Sequence, residues 1–287
     1  MHRAPSYLAL PEISLASSDV SRPFLKWAGG KARLVPVIRT HLPPGRRLIE
    51  PFAGSAAVWL GTDYPTALIA DANPDLIHLY QTLQTEGPDF IAYCRTFFTP
   101  DTNCADTYYA YRDRFNTTRD PREKAALFLY LNRHDYNGLC RYNASGRFNV
   151  PFGRYRRPYF PQAEMQAFWV KAHTTTFVVG DFRQILAQAQ TGDVVYCDPP
   201  YVPLSSTAHF TDYAVGGFGP EDQEDLAARA EHLADQGIPV VISNHDTPWT
   251  QALYRRAARI TVSVPRFISC DGQRRESVDE VLAVFRQ

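Results

Sequence analysis

Short apolar runs of strand character recur along this chain: Arg46–Glu50, Thr66–Ala70, Thr175–Val179, Asp193–Cys197, Pro239–Ser243, Arg259–Val264 and Glu280–Phe285. Helical stretches separate several of them, at Leu34–Thr40, Ala56–Leu60, Asn73–Leu83 and Glu221–Gln236, the last opened by Pro220 at its first turn. Strands that alternate with helices pair in parallel, because each return to the same edge needs a long crossover. The pattern therefore predicts an α/β fold on a mostly parallel sheet. Between about residues 76 and 161 the alternation stops. Arginine and aromatic residues mix there with turn formers around one strong helix, Pro121–Asn132. That stretch is expected to be an inserted, mainly helical domain (76–161), with the sheet domain formed by 21–75 and 162–287.

A chain of 287 residues has the length for one large domain carrying a smaller one. With 45% hydrophobic and 21% charged residues it is neither disordered nor fibrous. No run approaches the roughly 20 apolar residues of a membrane span, so no membrane association is expected. Residues 1–20 lack an apolar core followed by a small-residue cleavage site and are read as a loose leader, not a signal peptide. Cys94, Cys104, Cys140, Cys197 and Cys270 form no C-x-x-C pair, and the histidines do not cluster. A disulfide framework and a metal site are both unexpected, and a reducing, cytoplasmic setting fits.

A net charge of zero argues against coating nucleic acid through bulk charge. The distribution of charge points elsewhere. Only four of the 30 basic residues are lysine, and six arginines fall between Arg133 and Arg157 with a single acid, Asp135. Tyr136, Tyr142, Phe148, Phe152, Tyr155, Tyr159 and Phe160 are interleaved with them or follow closely. A solvated loop face is one reading. Contact with phosphates and bases is the other, and the aromatics favour it.

Four motifs carry chemistry. Glu50-Pro-Phe-Ala-Gly-Ser55 joins a strand to a helix. Gly54 lets a ligand approach the backbone closely, Glu50 and Phe52 flank it, and Asp71 ends the next strand, placed to take both hydroxyls of a ribose. No G-x-G-x-x-G or Walker pattern accompanies the loop, so a nucleoside without a pyrophosphate fits better than a dinucleotide; an ordinary tight turn is the alternative. Asp198-Pro-Pro-Tyr201 follows the strand that ends in Cys197. Pro199 and Pro200 end that strand and fix the chain's direction. A carboxylate and a free carbonyl beside an aromatic ring suit an exocyclic amine on a flat base. The amine donates to Asp198 and the Pro199 carbonyl while Tyr201 stacks on the ring.

Phe24-Leu-Lys-Trp-Ala-Gly-Gly-Lys31 holds two of the four lysines. One suits a carboxylate and the other a phosphate or base edge, unless the segment is only a lead-in to the following helix. Asn132-Arg-His-Asp-Tyr-Asn-Gly-Leu-Cys-Arg-Tyr-Asn143 and Phe148-Asn-Val-Pro-Phe-Gly-Arg-Tyr155 offer arginine for guanine, asparagine for adenine and tyrosine to wedge into a base stack. Asp181 either accepts from an adenine amine or caps a helix. Ser243-Asn-His-Asp246 reads as a polar strand end supporting the sheet, and Cys197 as a small core residue, not a nucleophile.

In the order FLKWAGGK, EPFAGSA, NGLCRYN with FNVPFGRY, and DPPY, these motifs resemble the S-adenosylmethionine-dependent amino-methyltransferases, and specifically the DNA adenine methyltransferase family with its α-type motif order. The resemblance runs from Phe24 to about Phe285 and takes in LYLNR, PYFP, VYCDPPY and ISNHDT. It implies a Rossmann-like methyltransferase sheet whose insertion is a target-recognition domain. It also implies direct methyl transfer from S-adenosylmethionine to N6 of a flipped adenine in double-stranded DNA, within GATC. The catalytic set is then Asp198, Pro199, Pro200 and Tyr201. Cofactor roles carry over to Trp27, Lys31, Asp71 and Asp198, with Asp181 a less clean match, and Glu50, Phe52 and Gly54 of the glycine loop join them. DNA-reading roles carry over to Lys26, Tyr136, Asn137, Leu139, Arg141, Pro151 and Tyr155. Neither a metal nor an obligate protein partner is implied.

One departure stands out. His134-Asp135 replaces an aromatic and a glycine of close relatives. A carboxylate among arginines is expected to pair with Arg133 or Arg141, to repel the DNA backbone, or to sit in a solvated turn. Two rival functions share some of these motifs: a methyltransferase acting on RNA or a protein amide, and a silent DNA-binding module. The arginine- and aromatic-rich insertion favours a duplex reader, and intact motifs at both sites favour activity.

Overall fold

The structure, a computed structural model, describes residues 22–201, 217–265 and 277–287; the expected leader (1–20) and Cys270 lie outside the described residues. In chain order the elements are α1 (Val35–His41), β1 (Arg47–Glu50), α2 (Ala57–Leu60), β2 (Thr66–Asp71), α3 (Pro74–Glu86), α4 (Pro88–Arg95), α5 (Ala105–Phe115) and α6 (Pro121–His134). There follow α7 (Gln162–Ala172), β3 (Thr175–Val179), α8 (Phe182–Leu186), β4 (Asp193–Cys197), α9 (Pro220–Asp235), β5 (Val240–His245), α10 (Pro248–Leu253), β6 (Ala258–Pro265) and β7 (Ser277–Phe285). Among the described residues the sheet has seven strands in the order β3-β2-β1-β4-β5-β7-β6. The first five strands in chain order are parallel, and β7 runs antiparallel between β5 and β6. The fold is thus the α/β, mostly parallel, Rossmann-like sheet that the strand pattern and the resemblance predict.

Every residue of β4 is buried, as the continuous apolar run requires of a central parallel strand. Its side chains alternate between two cores: Val194 and Tyr196 face one, Val195 and Cys197 the other. The chain steps outward from β1 through β2 to β3 and returns to β4 on the other side of β1. The strand order therefore reverses between β1 and β4, which opens a crevice at their carboxyl ends.

Asn73 opens α3 by accepting from the amides of Asp75 and Leu76, with Pro74 at the first helical position. This helix packs against β2, β3 and α6, so the expected boundary between residues 75 and 76 falls inside it. Asp120 caps α6 in the same way, and from Ala125 to Asn132 that helix is buried throughout. Beyond α6 the chain forms a short antiparallel hairpin, with bridges between Tyr142 and Phe148 and between Asp135 and Phe152.

Candidate active site

The glycine loop closes the carboxyl end of β1. Gly54 has a φ of +45°, and a Cβ there would lie 2.7 Å from Trp27 Nε1, so only glycine lets the indole rest on the loop. The Gly54 amide donates to Asp71 Oδ2 at 3.0 Å, and the Asn73 amide donates to Asp71 Oδ1 at 2.9 Å. Asp71 thus fixes the loop through both of its oxygens, and the Ala72 amide adds to their support. Phe52 stacks on Phe182 with centroids 5.5 Å apart. Glu50 is buried, and its Oε1 has no hydrogen-bond partner. Burial first, and the nearby Asp198 second, push its carboxyl up to about 8.

The tetrapeptide faces this loop across the crevice. Lys31 is only 5% exposed; its Nζ lies 3.0 Å from Asp198 Oδ1, a contact of charges without an aligned hydrogen bond. The same Nζ sits 4.5 Å above the centre of the Tyr201 ring. Lys31 is therefore the lysine of its segment that meets a carboxylate. Burial raises the Asp198 carboxyl above its ordinary range; Lys31 opposes the shift and Glu280 adds to it. The Pro200 carbonyl accepts from Gln223 Nε2 at 2.7 Å, and Asn244 Nδ2 donates to Gln223 Oε1 at 3.0 Å. The Tyr201 hydroxyl donates to Glu280 Oε2 at 2.8 Å. Gln223 and Glu280 escape sequence reasoning, since each reads as an ordinary polar residue of a helix or strand. Ser243 and Asn244 are fully buried at the end of β5 and support the sheet as expected. Cys197 is buried and its thiol is pushed up by burial, which suits a core residue.

Most of the expected DNA-reading residues gather around one turn. Two consecutive residues at its tip are left-handed, Asn137 with φ 60° and Gly138 with φ 66°. Tyr136 is 53% exposed there, and its amide donates to the Pro151 carbonyl at 2.9 Å. The Asn137 amide donates to the Tyr155 hydroxyl at 3.0 Å, and Lys26 Nζ lies 3.6 Å above the Tyr155 ring. Burial, then the Arg133 guanidinium, bring the Lys26 ammonium down to about 8. Leu139 is half-buried against the core. Arg141 is exposed in the neighbouring hairpin, its Nε donating to Asn149 Oδ1 at 2.8 Å. Asp181 stands apart: it is exposed, caps α8 through the Arg183 amide and pairs with the Arg183 guanidinium.

The three expectations for His134-Asp135 are corrected. His134 and Asp135 are 1% and 0% exposed. The chain leaving α6 turns inward, where Asp135 bridges to Phe152, so among the described residues its carboxyl meets no arginine, and it is shielded from solvent. Neither oxygen has a hydrogen-bond partner, and burial pushes the carboxyl up to about 9, against weaker opposition from the Gly138 amide and Lys26. Neutral Asp135 neither repels phosphate nor diminishes the arginine charge around it.

Comparison with known proteins agrees with this geometry. The profile of the D12 class N6 adenine-specific DNA methyltransferases matches residues 27–267. A DNA adenine methylase of Escherichia coli (strain K12) is 50% identical over 266 residues, spanning 93% of this chain and 96% of that protein. One of Serratia marcescens is 50% identical over 267 residues, 93% of this chain and 99% of that protein, and one of Vibrio cholerae serotype O1 is 49% identical over 265 residues, 92% and 96%. The sheet and its crevice define an α/β fold, and the matched profile makes it that of a methyltransferase. The chain belongs to the D12 class of N6 adenine-specific DNA methyltransferases.

Proposed function

We propose that this enzyme methylates adenine N6 in double-stranded DNA, within GATC, using S-adenosylmethionine and a target base flipped out of the duplex. The observation that carries the reading is the meeting, at one crevice, of Asp198 and Tyr201 with the Gly54–Asp71 loop. The loop fits the cofactor. Asp71 offers acceptors for a ribose, Trp27 and Phe52 offer flat apolar surface, and Lys31 offers a cation for a carboxylate. Glu50 is a buried acid with an unpartnered oxygen and Asp198 a partly buried one, and a cationic ligand would favour the ionised form of each. When bound, S-adenosylmethionine supplies an electrophilic methyl group on a sulfonium sulfur.

The protein's own work is orientation. The adenine N6 amine is a poor nucleophile because its lone pair is conjugated with the ring. Donation of its hydrogens to Asp198 and to the Pro199 carbonyl holds the amine with that lone pair directed out of the base plane. Gln223 engages the Pro200 carbonyl and ties α9 to the turn that carries the Pro199 carbonyl. Asp198, with its raised proton affinity, is suited to take the proton that the methylated amine releases. Tyr201 stacks on the base. Lys26, Tyr136, Asn137, Leu139, Arg141, Pro151 and Tyr155 contact the duplex, with Arg141 reading a guanine. The test is incubation of random-sequence duplex DNA with enzyme and S-adenosylmethionine, followed by mapping of N6-methyladenine. Methyl groups confined to GATC support the reading, whereas methylation at another sequence or of RNA alone removes it.

A further inference from the structure

Lys31 lies over the Tyr201 ring, and Asp198 of the tetrapeptide bonds its side chain. Two further contacts on the ring come from paired strands. His245 of β5 and Glu280 of β7 are register partners in the sheet. The Tyr201 hydroxyl donates to Glu280 Oε2 at 2.8 Å, and the ring meets the His245 ring at a 75° interplanar angle with centroids 4.8 Å apart. Rotation about the bond to an aromatic ring is otherwise loosely restrained, so a tether at the hydroxyl and a ring edge against the side remove most of that freedom. We infer that Glu280 is a positioning residue, which holds Tyr201 in the plane that receives the target adenine. The inference rests on the reading of Tyr201 as the stacking plate.

Glu280 bonds the hydroxyl, at the far end of the ring from the backbone, and so acts through the tyrosine. Its carboxylate also raises the proton affinity of Asp198, a second route of action, through charge. Glutamine separates the two roles, because it keeps an acceptor oxygen at the same reach and removes the charge.

The experiment compares Glu280→Gln, Glu280→Ala, Tyr201→Phe, Tyr201→Ala and the Glu280→Ala/Tyr201→Phe double variant with wild type. Circular dichroism checks the fold and calorimetry checks S-adenosylmethionine binding. Rates are measured on one duplex, and 2-aminopurine at the target position reports stacking. Glu280→Ala is expected to lower kcat about tenfold, the scale of one lost hydrogen bond, with KM for DNA unchanged within about twofold. It should also brighten 2-aminopurine, as a looser ring quenches less. Glu280→Gln is expected to restore the wild-type rate and signal, and Tyr201→Phe to match Glu280→Ala. The double variant should lose no more than either single one. Additive losses in the double variant, or Glu280→Gln as slow as Glu280→Ala, would overturn the inference. So would Glu280→Ala at the wild-type rate while Tyr201→Ala is inactive. Tyr201→Ala at the wild-type rate removes instead the stacking reading on which the inference stands.

Discussion

Asp135 is a carboxylic acid placed where burial outweighs the support that the Gly138 amide and Lys26 give its ionised form. Its native proton affinity, about 9, is far above the ordinary carboxylate value of 3.8, so the folded chain binds that proton more tightly than the unfolded chain. The sign follows: the contribution to stability is fully present below about pH 4 and is lost as pH rises toward 9. Asp135→Ala removes the group and is expected to be more stable than wild type at neutral and alkaline pH. Between pH 5.5 and 8 its advantage in unfolding free energy should grow by roughly 3 kcal/mol. Urea denaturation of both proteins at the two values checks this, and an advantage independent of pH would show that Asp135 is ionised in the folded chain. Asp198 is the opposite case, a partly buried acid with a cation at hand in Lys31. Asp198→Ala is expected to keep the fold and to lose roughly 100- to 1,000-fold in single-turnover rate, the scale of removing one preorganised partner of a reacting group. Near-wild-type turnover in the folded variant would take Asp198 out of that role.

The turn Tyr136–Gly138 shows how one small element serves a larger surface. Its two left-handed residues lift Tyr136 into solvent and press Gly138 against the Lys26 segment, where a Cβ would lie 2.2 Å from Lys26 Cβ. Gly138→Ala therefore pushes the turn and Lys26 apart, in addition to about 1–2 kcal/mol for a left-handed alanine. The expected outcome is DNA affinity lowered at least about tenfold with a smaller loss of S-adenosylmethionine binding, since Gly138 meets Lys26 and reaches the glycine loop only through the adjoining Trp27. Fluorescence anisotropy with a labelled duplex and calorimetry with the cofactor test the two halves. This element also marks the limit of what the sequence reveals. The strands and the tetrapeptide are legible because apolar runs and prolines are local signals: Thr175–Val179 and Asp193–Cys197 are strands over those same residues. The burial of Asp135 is not legible, because it comes from pairing with Phe152 across an intervening hairpin. Gln223 and Glu280 are hidden for the same reason. Only the packing of α9 and β7 beside the tetrapeptide gives a polar side chain on either a partner there.

At the scale of the whole molecule, the proposed recognition domain and the sheet share a core. One apolar cluster takes in Leu48 and Ile69 of the sheet, Leu127 and Phe128 of α6, and Phe148 and Val150 beyond the hairpin tip. Independent domains have cores of their own. A second link is polar: the Lys26 amide donates to Asn132 Oδ1 at 2.9 Å, and Asn132 Nδ2 donates to the Lys26 carbonyl at 2.8 Å. Asn132 is 3% exposed, so neither bond is readily exchanged for water. The link holds the segment carrying Trp27 and Lys31 to the helix that leads into the Tyr136 turn, which keeps the proposed DNA-reading residues in register with the crevice. The expected consequence is a single cooperative thermal transition with equal calorimetric and van't Hoff enthalpies. Asn132→Ala leaves two main-chain groups without partners and is expected to lower stability by about 2–4 kcal/mol. Because the apolar cluster remains, the variant should still unfold in one step, at a lower Tm. Two resolved transitions in wild type would mean that the insertion folds as a unit of its own. Two transitions only in Asn132→Ala would mean that the polar link, and not the shared core, couples the Tyr136 turn to the crevice proposed for methyl transfer.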